Sequence, residues 1–268
     1  MPEVLVVGES GFLSQAMLKA WGSRAQGLSW REALHPSQLA GAQWVLNGAL
    51  DPRQMSELLS PEEDFDLQLA QKAVEAGAHY VMLSTRKVYD RAAQWGARED
   101  DLAVGQDVYG QNKAQTEARI REVVPEDRLL IARVANVVGP ERVPGRRSFM
   151  AMMLGSLADR GEISFNMSPF VRRDFITDRF FADSMKGLVE SGASGLVNVG
   201  SGQPLMTGEL AMALLEGFGQ GSFRVTDPRV FDEFWLDVSR LKSWTGLEAD
   251  PESVRELCRE EGRKLASG

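Results

Sequence analysis

Tyr109 and Lys113 stand four residues apart in the stretch Val108-Tyr109-Gly110-Gln111-Asn112-Lys113-Ala114. On a helix, residues at this spacing share one face, so an ammonium would lie beside a phenol. A nearby positive charge favours phenolate over phenol and moves tyrosine toward a usable general acid or base near neutral pH. A solvated lysine next to an ordinary tyrosine would have the same spacing, so the pair takes its meaning from its surroundings.

A glycine loop supplies the first of these surroundings. Gly8-Glu9-Ser10-Gly11-Phe12-Leu13-Ser14 joins the apolar run Val4 to Val7 to a helical pattern. Glycines there permit a tight turn and close backbone approach, and the helix amino end directs free N–H groups toward a pyrophosphate. Gly8, Ser10, Gly11, Phe12 and Leu13 are therefore candidate cofactor contacts. An NAD site usually carries an acidic residue about 20 positions further on, where it accepts from the ribose 2′-hydroxyl. Here the second apolar stretch ends Leu28-Ser29-Trp30-Arg31. The planar, permanently charged Arg31 matches a 2′-phosphate instead and favours NADP. Glu32 follows immediately and would serve as an acidic clamp in another register, which keeps NAD open.

The elements that must hold these residues alternate. Strands are expected at Val4 to Val7, Ala25 to Trp30, Trp44 to Asn47, Tyr80 to Ser84 and Leu129 to Ala135, with helices from Phe12 to Trp21, Phe65 to Ala76 and Tyr109 to Val123 between them. This is the pattern of a parallel α/β sheet. After Gly139-Pro140 it becomes mixed, with helices expected at Phe149 to Asp159, Arg179 to Glu190, Thr207 to Gly217 and Pro251 to Leu265. The reading is a Rossmann-type, doubly wound parallel sheet of residues 1–141 and 174–200. A small, largely C-terminal substrate-binding lobe of residues 142–173 and 201–268 would lie over the carboxyl edge, where open α/β sheets bind ligands.

Composition excludes several classes. With 268 residues, 43% of them hydrophobic and 25% charged, the chain can bury a large core. The first apolar run is too short for a signal core or a membrane span, so a soluble cytoplasmic protein is expected. The single cysteine, Cys258, cannot form an internal disulfide, and His35 and His79 are too few for a histidine metal cluster. A net charge of -8 leaves no basic footprint for nucleic acid.

Six motifs in order resemble those of the extended short-chain dehydrogenase/reductase family, which includes nucleotide-sugar epimerases, dehydratases and reductases. They are Gly8-x-x-Gly11, Asn47-Gly48-Ala49, Ser84-Thr85-x-x-Val88-Tyr89, Tyr109-x-x-x-Lys113, Arg133-x-x-Asn136-x-x-Gly139-Pro140, and Arg173-Asp174-Phe175-Ile176 leading to Val197-Asn198-Val199-Gly200-Ser201-Gly202. The resemblance implies that Thr85 hydrogen-bonds a substrate oxygen, Tyr109 exchanges its proton, and Lys113 holds the nicotinamide ribose and favours ionised Tyr109. It adds Asn47, Gly48 and Ala49 to the cofactor contacts and puts the Asn136 amide near a nucleotide diphosphate. It also implies a homodimer formed through Phe65 to Ala76 and Tyr109 to Val123.

Departures from the family narrow the reaction. Ser14 replaces the third glycine of the loop. Arg86-Lys87 stands where the 4,6-dehydratase branch carries an Asp-Glu pair, and cations cannot perform that elimination. Arg86 and Glu141 replace the cysteine and histidine of the branch resembling GDP-fucose synthase, which disfavours 3,5-epimerisation. Ser84-Thr85-Arg86-Lys87-Val88-Tyr89-Asp90 looks like the matching stretch of dTDP-4-dehydrorhamnose reductases. The leading expectation is NADPH-dependent reduction of a keto group on a nucleotide-linked sugar or similar metabolite. An NAD-dependent epimerase and a non-catalytic NAD(P)-binding sensor are the alternatives. For the substrate, Arg142, Arg146, Arg147, Arg172, Arg173, Arg224 and Arg229 are candidate diphosphate ligands, and Phe165 or Phe149 would pack on a base.

Overall fold

A computed structural model of the chain describes residues 3–140, 148–229 and 231–267. The apolar run Val4–Val7 forms β1, with all four residues buried. It pairs in parallel with β2 (Ala25–Leu28) on one side and β3 (Trp44–Asn47) on the other. Beyond β3 the sheet continues, still parallel, through β4 (His79–Thr85) and the strands Leu129–Val134 and Gly195–Val199. The result is a six-stranded sheet in the order β2, β1, β3, β4, Leu129–Val134, Gly195–Val199.

Both faces of the sheet are covered, as a fully parallel sheet requires. Val4 and Val6 face Met17 and Trp21 of α1 (Phe12–Trp21), together with Phe181, Met185 and Leu188 of the later helix Asp178–Glu190. Leu5 and Val7 point the other way, toward Leu69, Ala70 and Ala73 of α2 (Phe65–Glu75) and Ile120 of α3 (Val108–Val123). The period-2 alternation of one short strand therefore seeds both halves of the core.

β2 is shorter than the expected Ala25 to Trp30. It is an edge strand, and its only partner, β1, ends at Val7, where the Gly8 N–H takes the Leu28 carbonyl. Ser29 therefore has no ladder to join and instead accepts from the N–H groups of Glu32 and Ala33 in a turn. β4 is longer than expected, because Leu129–Val134 pairs with it as far as Thr85.

A second core holds the lobe. α4 (Phe149–Arg160) contributes Met150, Met153 and Leu157, α6 (Thr207–Phe218) contributes Leu210, Ala213 and Leu214, and α8 (Pro251–Ser267) contributes Val254 and Cys258. α5 is the helix Asp178–Glu190 named above. α7 (Ser239–Thr245) falls in the stretch expected for the lobe, yet its Leu241 packs in the sheet core beside Leu188 and Val197. No described helix is long and apolar enough to cross a membrane.

Asp174 ties the two cores together. Its fully buried carboxylate accepts from Ser201 N at 2.7 Å and Ser201 Oγ at 2.6 Å, and from Gly202 N at 3.1 Å and Leu236 N at 3.2 Å. Arg173-Asp174-Phe175-Ile176 and Val197 to Gly202 thus occur together for a physical reason: one motif supplies the acceptor and the other three of the four donors. Asp174→Ala is expected to lower stability by about 3 kcal/mol or more, since donors shielded from water lose their acceptor. Denaturant unfolding followed by tryptophan fluorescence measures the loss.

Candidate active site

Strand building reverses direction across β1: β2 is laid on one side, then β3 on the other. In open α/β sheets such a switch point leaves a crevice outside the strand carboxyl ends. Gly8 and Asn47-Gly48-Ala49 form its floor. Gly8 has a φ of +78°, and a Cβ there would lie 2.7 Å from the Ala49 backbone; a Cβ on Gly48 would lie 2.2 Å from Ser14 Oγ. The two loops consequently meet backbone to backbone. Gly11 caps α1 without a side-chain hydrogen bond, and the amino end of the helix lies at the crevice. Ser14 is buried against Gly48, and its Oγ has no hydrogen-bond partner.

Thr85 ends β4 and starts the short turn Arg86–Val88. Its Oγ1 accepts from Lys87 N at 3.3 Å, which leaves its hydroxyl proton free to donate into the space ahead. α3 begins at the same place. Asp107 caps it by accepting from Gly110 N at 2.9 Å and pairs with Lys87 Nζ at 2.5 Å. Gly110 follows Tyr109, and a Cβ at Gly110 would lie 2.3 Å from the Lys87 carbonyl oxygen. The helix bearing Tyr109 is therefore seated directly on the turn that bears Thr85. Both residues line one cleft of about 270 Å³ together with Phe12, Leu13, Asn136 and Phe149.

Lys113 lies one turn further along α3, and its side chain is nearly closed to solvent. Its Nζ sits 2.8 Å from Asp66 Oδ2 on α2, and the two side chains are 4% and 2% exposed. Asp66 Oδ1 accepts from Asn47 Nδ2 at 2.6 Å and from the Tyr80 hydroxyl at 2.8 Å. Asn47 Oδ1 in turn accepts from Ala49 N at 3.0 Å. Burial pushes the Lys113 pKa down, but the Asp66 carboxylate, the Tyr109 phenol and Asp64 together outweigh it and raise the pKa above the ordinary range. Lys113 is a cation held against an anion.

Residues 62–167 match the family described as the RmlD substrate binding domain. The whole chain superposes on an NAD-dependent NDP-hexosamine 5,6-dehydratase, TunA, involved in tunicamycin biosynthesis, with a TM-score of 0.80 at 21% identity, covering 100% of this chain and 99% of that one. It superposes equally on the UDP-N-acetylglucosamine 4-epimerase of Methanobrevibacter ruminantium M1, solved with UDP-N-acetylmuramic acid (0.82, 18% identity, 100% and 99% covered). RMD from Pseudomonas aeruginosa, solved with NADPH, scores 0.75 at 22% identity with 99% of each chain covered. The fold is that of the extended short-chain dehydrogenase/reductases.

Within that fold, the expected site residues separate into two groups. Thr85, Tyr109, Asn136, Phe12 and Leu13 share the cleft, and Gly8, Gly11, Gly48 and Ala49 shape the adjoining crevice. Ser10 is exposed on the loop, and Arg31 is exposed beyond β2 with its guanidinium 4.7 Å from the Trp30 ring centroid. Phe165 does not reach the cleft. It is 3% exposed in the lobe core, edge-on to Phe223, because its strand Glu162–Phe165 turns this side chain inward. Phe149, 5.4 Å from Phe165 between ring centroids, does line the cleft, beside Phe12 and Phe175.

Among the candidate arginines, Arg173 pairs with Asp232 at 3.2 Å, Arg172 with Glu233 at 3.2 Å and Arg229 with Asp227 at 2.5 Å. Arg224 is exposed. Arg142, Arg146 and Arg147, with Glu141, lie outside the described residues. Arg86 is buried, bonded to Asp232 and 3.9 Å from the Phe234 ring centroid.

Sequence reasoning missed Asp66, Asp107 and Gly110. Asp107 and Gly110 carried a signal, an aspartate three residues before a glycine at a helix start, which is a capping pattern. Asp66 carried none, since its partner is 47 residues away in the chain. Gly110→Ala is expected to cost about 2 kcal/mol, because its Cβ meets a backbone carbonyl that cannot turn aside. Gly155→Ala, on an open face of α4, is expected to gain about 0.5–1 kcal/mol. Calorimetric melting of the two variants should show shifts of opposite sign.

Proposed function

We propose that this chain is a nicotinamide-dependent oxidoreductase that reduces a keto group on a nucleotide-linked sugar or a similar metabolite, with NADPH preferred. The observation that carries the proposal is the convergence of Thr85 and Tyr109 on one cleft, with the Lys113 cation behind them. The residues fit a dinucleotide. Gly8 and Gly48 hold the crevice floor at backbone level, the α1 amino end lies at the crevice, and Arg31 stands exposed beyond β2 for a 2′-phosphate. When bound, the nicotinamide supplies the hydride.

The chain's own residues then have defined tasks. Thr85 donates to the carbonyl oxygen, where negative charge grows during reduction. Tyr109 donates its phenolic proton to that same oxygen. Asn136, in the strand Asn136–Val138 paired with Phe175–Thr177, lines the same cleft and would offer its amide to the diphosphate part of the substrate. Among the described residues lining the cleft, none is a carboxylate, histidine, lysine or cysteine. This supports chemistry that needs one proton donor over an elimination that needs a second acid-base pair. The proposal extends to a homodimer through the neighbouring helices α2 and α3, which light scattering showing a monomer would reject.

Tyr109→Phe keeps the ring and removes the proton, so turnover is expected to fall by about a hundredfold or more while cofactor binding persists. Unchanged turnover with a panel of keto-sugar nucleotides would refute the assignment. Arg31→Ala is expected to weaken NADPH binding by about tenfold or more and to leave NADH binding nearly unchanged. Tightly retained NAD with no net redox change on a sugar nucleotide would replace reduction with epimerisation, the activity by which the Methanobrevibacter ruminantium relative is named.

A further inference from the structure

Asp66 occupies the first turn of α2, a position that ordinarily carries a solvated acid. Here it is 2% exposed and makes three side-chain bonds, to Lys113 Nζ, Asn47 Nδ2 and the Tyr80 hydroxyl. A buried carboxylate is costly unless it is paired and fully hydrogen-bonded, and this one is both. It also links two parts of the fold: one oxygen holds the side chain that fixes the Gly48-Ala49 turn, and the other holds the cation one turn beyond Tyr109 on α3.

We propose that Asp66 is a positioning residue that pins the Lys113 ammonium to the crevice floor and offsets its charge toward Tyr109. The inference rests on Tyr109 being the proton donor. An unopposed ammonium one helical turn away would favour phenolate, which suits a base that starts by removing a proton. A reductase needs the phenol. The Asp66 carboxylate at 2.8 Å from Nζ turns the cation into a neutral pair as seen from the ring, while Lys113 keeps N–H groups for a ribose hydroxyl.

The other charges around this centre are accounted for. Lys87 and Asp107, at the α3 amino end, pair with each other. Asp64 caps α2, accepts from Thr116 Oγ1 at 2.6 Å and pairs with Arg119 at 3.2 Å. Tyr80 faces Asp66 from β4, and burial raises its pKa well above the ordinary phenol value. Tyr89 is likewise pushed up to about 12 by burial. With only three tyrosines in the chain, a step lost on replacing Tyr109 is identified without ambiguity.

Ultraviolet titration of tyrosine ionisation in the purified full-length protein tests the proposal without substrate or cofactor. Tyr109→Phe identifies the Tyr109 step. Asp66→Asn is expected to move that step about one pH unit lower, tenfold in phenolate at a given pH. A step that stays in place or moves up would overturn the proposal. Should Asp66→Asn fail to fold, the double variant Asp66→Asn with Lys113→Met replaces a buried ion pair by neutral groups of similar volume, a change cores often accept. With the charges offset, its Tyr109 step should stay within about half a unit of the wild type, whereas a rise of about one unit or more would show Lys113 acting unopposed. Turnover surviving Tyr109→Phe would remove the reductase reading and leave this titration standing, so the two ideas fail separately.

Discussion

A lysine side chain that is 4% exposed dictates much of this architecture. An ammonium out of water must have an anion at contact distance, and the anion must have its own remaining lone pairs satisfied. Lys113 comes from α3, its partner Asp66 from α2, and the supporting donors Asn47 and Tyr80 from β3 and β4. Four elements are held in register by one charge. Sliding α2 along the sheet would leave a buried cation unpaired, a far larger penalty than any single apolar contact could offset.

A second buried network stands behind Thr85 and follows the same rule. Ser84 donates to Glu117 Oε1, and Arg133 donates to Glu117 Oε2 at 2.6 Å and to the Glu99 carbonyl at 3.0 Å. Glu117 lies one turn beyond Lys113 on α3. The helix is thus fixed to the carboxyl end of β4 by ions on its inner face and by Gly110 at its start. Such fixation suits the proposed reduction, in which two donors would meet one oxygen atom, because misplacement by about 1 Å can cost a hundredfold in rate.

Elements with strong periodicity were legible in the sequence to within a residue or two. β1, α1 and the helices expected in the lobe are examples, because an apolar stripe at 3.6 or a buried run of valines leaves few alternatives. The end of β2 was not, because it depends on where the neighbouring strand stops. Thr85, Tyr109 and Asn136 were readable as a set from ordered motifs, and the structure brings them to one cleft. Phe165 was misread, since nothing in Glu162-Ile163-Ser164-Phe165 shows which face of the strand looks outward when a second core lies beneath it. The arginines near the lobe read as anion ligands, yet Arg172, Arg173 and Arg229 have carboxylate partners on residues 227–233, a segment with no periodic signal. Buried polar partnerships over long sequence separation, such as Asp66 with Lys113, leave no local trace.

The lobe's core draws on α4, α6 and α8, three stretches separated by some of the sheet's own elements. As the chain emerges during synthesis, the sheet strands and the Thr85–Tyr109 seat are complete before Val254 and Cys258 exist to close that core. Until then the face of α6 that packs on α8 lacks that partner. The wall carrying Phe149 and Met150 thus depends on the last helix made, whereas the sheet residues that share its cleft are in place well before it.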